Sequence, residues 1–168
     1  SPVNVDDLAK IYAETPDAIL VSGATDVGLW VTKQHLTLET VIHLGRVREL
    51  QSIKADAQKL VIGSGVTYTQ AREPIAEHFP DFGELIRRIG AEQVRNAGTL
   101  GGNVVNGSPI GDTAPALIAL DAVLILRKGI ARRKVLTEDF FIDYGKQDLL
   151  PGEFLEAIEI PLPDPSLN

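Results

Sequence analysis

Residues 95–112, RNAGTLGGNVVNGSPIGD, gather five glycines and three asparagines into eighteen positions. Glycine supplies positive φ and lets a backbone come close to a ligand, while Thr99, Asn103, Asn106 and Ser108 offer uncharged hydrogen bonds. Read as a loop, the stretch is long, and Val104, Val105 and Ile110 are poor material for a solvated flexible one. The reading is a ligand cradle. Asp112 could cap the helix that follows, or accept hydrogen bonds from a ribose or an amino group. A second candidate is 20–28, LVSGATDVG, where a short apolar run enters a glycine-bearing turn and a helix starts at once. Small residues there would open helix N-terminal N–H groups to a phosphate. Taken alone, this loop is equally well read as a tight β–α turn without a ligand.

Gly23 and Gly28 have Walker A spacing, but Leu29-Trp30 stands where Lys-Ser/Thr is needed, so an NTP-hydrolysing loop is excluded. G-x-G-x-x-G is missing as well. Two glycine-rich, phosphate-type loops on one domain point to an extended pyrophosphate, hence a dinucleotide. No Gly-x-Ser-x-Gly elbow occurs and no His pairs with a carboxylate at recognisable spacing, so no catalytic side chain is assigned and the cofactor must bring the reactivity. The chain has no cysteine, which excludes disulfides and Cys-ligated zinc, haem or iron–sulfur centres within it. His35, His43 and His78 lie far apart without ligand spacing, and no metal is expected.

A net charge of −7 gives no electrostatic footprint for nucleic acid. Arg127, Lys128, Arg132, Arg133 and Lys134 read as a short solvated basic loop. No apolar run approaches the ~20 residues of a membrane span, and the start lacks signal-peptide features, so a cytoplasmic setting with no membrane partner is expected. The absence of methionine and the proline-rich end, 160–165, suggest a domain excised from a longer protein.

The elements that must position these residues alternate between helical and extended patterns, an α/β or α+β layer architecture. Helices are expected over 5–13, from Asp26 to about Lys33 with Thr25 or Asp26 as N-cap, from Thr67 toward His78, and over 82–93 and 112–120. Thr67-x-x-Gln70 has capping-box spacing, and Pro74 should fall in that helix's first turn or kink it. Strands are expected over 18–21 and 40–44 as one parallel crossover, over 59–65, and over 123–126, 134–136 and 154–160 as an antiparallel sheet. Pro80–Phe82 reads as the waist between a first lobe, 1–80, and a second, 81–168.

At these residues the chain resembles the FAD-binding domain of molybdopterin dehydrogenases. Segments 20–28 and 95–112 carry the resemblance, with Gly101-Gly102-Asn103 and 106–112 similar to the small subunit of bacterial xanthine dehydrogenases. Glu138-Asp139-Phe140-Phe141 and Pro151-Gly152-Glu153-Phe154 extend it over nearly the whole chain. The resemblance implies an α+β fold of the p-cresol methylhydroxylase type, with a parallel β–α–β first lobe, a mixed or antiparallel second lobe with helices, and FAD between them. It implies FAD contacts from Leu20, Val21, Ser22, Gly23, Ala24, Thr25, Asp26 and Val27, mostly through backbone N–H groups to the pyrophosphate. Thr99, Leu100, Gly101, Gly102 and Asn103 would serve pyrophosphate and ribose, Asp112 the adenosine half, and Ile89 and Leu155 apolar contacts. It further implies a flavin-dependent oxidoreductase in which purine (xanthine or hypoxanthine) is hydroxylated at molybdopterin, electrons cross iron–sulfur clusters in partner domains or subunits, and FAD passes a hydride to NAD. The iron–sulfur domain and the C-terminal flavoprotein lobe of such enzymes are not in this chain. Alternatives are the FAD subunit of another molybdenum hydroxylase (aldehyde, CO or aromatic thioester) and a flavin-less nucleotide-binding or interaction module.

Overall fold

A computed structural model describes residues 1–108 and 111–163. Pro109 and Ile110 of the glycine-rich segment, and the proline-rich end from residue 164, lie outside the described residues. The chain opens with α1 (Val5–Glu14), whose first turn is capped by the Asn4 side chain accepting from the Asp7 N–H. Then β1 (Ile19–Val21), α2 (Val27–Thr32) and β2 (Val41–His43) follow, with β1 and β2 paired in parallel. A 3-10 turn over Arg48–Gln51 leads to β3 (Ile53–Ala55) and β4 (Lys59–Gly63). Next come α3 (Tyr68–Ala76), α4 (Pro80–Arg88), α5 (Glu92–Ala97), α6 (Leu100–Asn106) and α7 (Thr113–Ala119). The remainder is β5 (Val123–Lys128), β6 (Ala131–Leu136), α8 (Thr137–Phe140), the small hairpin β7 (Phe141–Asp143) and β8 (Lys146–Gln147), and β9 (Phe154–Pro161).

The organising element is a five-stranded sheet in the order β3-β4-β9-β5-β6, antiparallel between every neighbouring pair. The period-2 pattern of β9 puts Ile158 and Ile160 on a face shared with Leu60 and Ile62 of β4 and Leu124 and Leu126 of β5, all fully or almost fully buried. Helices α3, α4, α6 and α7 cover that face with Ala71, Ile75, Ile86, Leu100, Val104 and Leu117. Each of the large aliphatics contributes about 1.5–3 kcal/mol by leaving water. The opposite face carries charge, and Glu159 accepts from Lys59 Nζ at 2.6 Å and Lys134 Nζ at 2.7 Å. A second, smaller core joins α1 (Val5, Leu8, Ala9) to Ala18, Ile42, Val47, Leu50 and Phe154. The five-stranded sheet crosses residue 80, because β4 bonds along its whole length to β9.

Several expectations change here. The helix expected over 82–93 is two helices, because Gly90 turns left-handed (φ 51°) and ends α4. The carbonyls freed there are taken by Arg95, whose Nη1 donates to Ile89 O at 3.0 Å and Gly90 O at 2.6 Å. Pro74 lies in the second half of α3, not in its first turn, while the Thr67–Gln70 capping box is fully formed. Asp26 and Asp112 do sit at N-cap positions, but neither side chain makes a capping hydrogen bond, since both backbones are already in the right-handed helical region. The basic cluster is no solvated loop. It spans the β5–β6 hairpin, and Arg127 is buried, bonded to Asp6 of α1 and, at 2.9 Å, to Gly129 O.

Ile158 sits at the centre of the sheet with no exposed surface. Replacing it by alanine should lower the free energy of unfolding by about 2–5 kcal/mol, read as a shift of the urea midpoint. A loss under about 1 kcal/mol would mean that the β4–β9–β5 layer is not the core.

Candidate cofactor site

The two glycine-bearing segments meet because one of them has no side chain where they touch. Gly23, in the turn between β1 and α2, lies so close to the end of α5 that an added Cβ would fall 1.7 Å from Ala97 O. The turn after Ala97 is in turn bonded to the connection between β4 and α3. Tyr68 N–H donates to Gly98 O at 3.0 Å, Leu100 N–H to Val66 O at 2.9 Å, and Gly101 N–H to Ser64 O at 3.2 Å. Gly101 presses on Ser64 as well, leaving about 2.5 Å for any Cβ.

The segment expected as a long ligand-holding loop is therefore largely helical. Thr99 caps α6, its Oγ1 accepting from Gly102 N–H at 3.2 Å, and Leu100 and Val104 drop into the core. Glycine disfavours helix, so propensity argues against α6, and tertiary packing overrides it. Gly107 (φ 58°) closes the helix in the left-handed conformation typical of a C-terminal glycine.

Between these segments lies a cavity of about 710 Å³, within the range of roughly 300–1,000 Å³ usual for small-molecule and cofactor sites. Of the residues expected at the cofactor, Leu20, Val21, Ser22, Gly23, Ala24, Thr25, Asp26 and Val27 line it, as do Ile89, Thr99, Gly101, Gly102, Asn103 and Leu155. Leu100 does not, being fully buried in the main core. Asp112 is exposed and outside the wall. It nevertheless bears on the site, for burial and, second, the Asp112 charge push the Tyr68 phenol up to about 12.

The wall suits an anionic, extended ligand. Among the described residues, the backbone N–H groups of Gly23, Ala24, Thr25 and Asp26 enter no backbone or side-chain hydrogen bond. Ala24 is left-handed (φ 57°), an uncommon state for a residue with a Cβ, and it sits in the middle of this run. A Cβ on Gly102 would meet nothing but its capping partner Thr99 Oγ1, so that face of α6 is bare toward the cavity. Asn103 is oriented from behind: the buried Thr113 hydroxyl donates to its Oδ1, which leaves the amide NH₂ free to serve as a donor.

Sequence reasoning missed other parts of the wall. Tyr12, Trp30, Ser64, Tyr68, Glu153 and Phe154 also line the cavity. Glu153 is 3% exposed and accepts from Arg133 Nε at 2.8 Å, Arg133 Nη2 at 2.7 Å and Leu150 N–H at 3.0 Å. Arg133 Nη1 also donates to Asp148 Oδ2 at 2.6 Å, so one guanidinium fixes the turn that carries Leu149 and Leu155 to the wall. Burial pushes the Glu153 carboxyl up, but the Arg133 hydrogen bonds and the Leu150 N–H outweigh it and hold the group below its usual 4.5. In the sequence Glu153 stood only within the stretch 151–154 that extends the resemblance, just before β9, and nothing there tied it to Arg133 of β6.

With this geometry in view, the comparisons are consistent. The family of FAD-binding domains in molybdopterin dehydrogenase matches residues 1–163, and the chain belongs to it. It is 32% identical over 158 residues to the putative xanthine dehydrogenase FAD-binding subunit of Escherichia coli (strain K12), covering 92% of this chain and 54% of that one. It is 28% identical over 176 residues to the xanthine dehydrogenase of Calliphora vicina, covering 95% of this chain and 13% of that protein. Among solved structures, quinoline 2-oxidoreductase from Pseudomonas putida 86 superposes with a TM-score of 0.90 at 25% identity, covering 96% of this chain and 57% of the other. The chain thus spans about half of the separate flavoprotein subunit and a far smaller part of the single-chain enzyme. Among the described residues, no helix is long and apolar enough to cross a membrane.

Two outcomes are expected. Gly23→Ala forces a Cβ into the Ala97 carbonyl, so the loop must move: stability should fall by about 1–3 kcal/mol in urea titrations, and flavin retention should fall with it. An unchanged variant would mean the two segments do not depend on this contact. For Glu153, the folded carboxyl lies below its unfolded value, so its contribution to stability is complete above pH 4.5 and disappears as pH falls through the folded value. Glu153→Gln should therefore lose stability at pH 7 and show a shallower decline between pH 5 and 3 than the parent. An equal acid slope in both would refute this.

Proposed function

We propose that this cavity holds FAD, with the pyrophosphate against residues 22–27 and 99–103, and that the parent enzyme is a xanthine dehydrogenase-like molybdenum hydroxylase. The observation that carries the reading is the convergence of two distant glycine-bearing segments on one cavity, where the N–H groups of residues 23–26 have no partner among the described residues. Bound there, FAD supplies the redox chemistry that links an iron–sulfur donor to a hydride acceptor, here NAD.

The chain's own residues bind and orient. The N–H groups of 23–26 and the exposed face of Gly102 receive phosphate oxygens, and Asn103 directs its amide donor inward. Ile89 and Leu155 supply apolar contact and, with Val21 and Phe154, keep water from the wall. Leu100 contributes by anchoring α6 and Asp112 by heading α7. The two cores support two lobes, with the cofactor between them. Electron donors and the purine site belong, on this reading, to iron–sulfur and molybdopterin partners. The family membership supports the flavin part. The xanthine dehydrogenase relatives support purine as the substrate, while an aldehyde oxidase relative and CO dehydrogenase structures support the aldehyde and CO alternatives.

A thermal melt of the intact protein with and without FAD tests the binding. At about a hundred times the dissociation constant, FAD should add about 2.7 kcal/mol, several degrees of melting temperature, while NAD alone should add nothing comparable. No response to FAD would return the chain to the class of flavin-less interaction modules. Reduction of the flavin by xanthine in the assembled enzyme, but not by an aldehyde, CO or a thioester, tests the substrate.

A further inference from the structure

One wall of the cavity comes from neither glycine-rich segment. It is the connection from β4 to α3, which runs along the α5–α6 turn through the three hydrogen bonds described above. Two of its side chains, Ser64 at 7% and Tyr68 at 4% exposure, are almost wholly buried, and both face the cavity. Among the described residues neither hydroxyl has a hydrogen-bond partner, yet neither is sealed off inside the protein, since Arg127 Nη1 is the buried side-chain atom left without one. What little surface these oxygens keep therefore opens on the cavity. Their backbones are locked in place. The Tyr68 ring edge lies about 3.1 Å from where a Cβ on Gly98 would stand, and Ser64 abuts Gly101. A hydroxyl taken from water and given no partner is a cost that packing alone does not explain, because phenylalanine and alanine would fill the same space.

We propose that Ser64 Oγ and Tyr68 Oη donate hydrogen bonds to the pyrophosphate–ribose centre of the bound dinucleotide, making the β4–α3 connection a third cofactor-binding element. The inference rests on the FAD reading of the cavity. It deepens that reading by assigning donors where none was expected. The location follows from the neighbours: the Tyr68 ring packs beside Gly98 and the Ser64 Cβ beside Gly101, on either side of Thr99 at the start of α6. The chemistry fits as well. Neutral O–H donors suit phosphate oxygens and ribose hydroxyls, and bonds to a charged acceptor are the stronger kind. The phenol, held up to about 12, stays protonated throughout the working range and so remains a donor.

The test uses the intact protein and its Tyr68→Phe and Ser64→Ala variants, each lacking one oxygen. Because these oxygens bond to nothing among the described residues, both flavin-free variants should melt at or above the parent. FAD affinity, titrated by the quenching of flavin fluorescence, should weaken by about tenfold in Tyr68→Phe and by a few-fold in Ser64→Ala, the size expected of single hydrogen bonds. ADP, which carries the pyrophosphate and one ribose without the flavin, should lose affinity in the same ratio. If the parent fails to bind FAD, the cavity reading falls and this inference falls with it. If the parent binds and both variants bind equally well, the inference alone is overturned. It is also overturned if the flavin-free variants melt lower by as much as binding weakens, or if FAD binding weakens while ADP binding does not.

Discussion

No side chain fits between Gly23 and the carbonyl of Ala97, and the cavity exists because of that close approach. A Cβ at Gly23 would hold the β1–α2 turn away from the end of α5, and the N–H groups of the turn would then face open solvent. The same economy recurs at Gly101 and Ser64, where α6 rests on the end of β4. Through β4 the constraint reaches β9, which carries Leu155 to the same cavity, and through β9 it reaches β5 and β6. The glycines that look like ligand contacts are thus first of all contacts between parts of the chain. Their service to a cofactor follows from how closely they let those parts approach.

Much of the architecture was legible where local chemistry and tertiary structure agree. The Thr67–Gln70 capping box, the parallel pair β1–β2, and the alternation in β9 are all set by short-range pattern, and packing reinforces them. The segment 95–112 was misread for the opposite reason. Its glycines advertise a loop, whereas Leu100 and Val104, four residues apart, meet the core as one helical face and decide the conformation. The extended helix over 82–93 failed at Gly90, whose left-handed turn is held by an arginine five residues on, a contact no periodicity reveals.

The candidate site divides in the same way. Its glycine-bearing halves were recognisable because such sequences are rare in cores, and fourteen of the sixteen residues expected there line the cavity. Ser64, Tyr68 and Glu153 were not, because each is an ordinary residue at an ordinary-looking strand end, helix start or turn. What brings them to the wall is the order of strands in the sheet, and strand order depends on pairings a hundred residues apart in sequence. Thr113 illustrates the point further: buried at the start of α7, it turns the amide of Asn103 around.

The β5–β6 hairpin also bears on how copies of this molecule treat one another. β6 is the last strand of the sheet, so its outer row of peptide groups could in principle recruit a strand from another molecule. It carries Arg132, Arg133 and Lys134 in succession, two of them reaching back to carboxylates on β9 and the turn before it, the third to Glu159. An identical edge approaching in register would have to bring a second such trio alongside the first and compete for carboxylates already taken. The same side chains that knit this sheet together therefore discourage its growth into a larger one, and protect against aggregation a protein whose overall charge has the opposite sign.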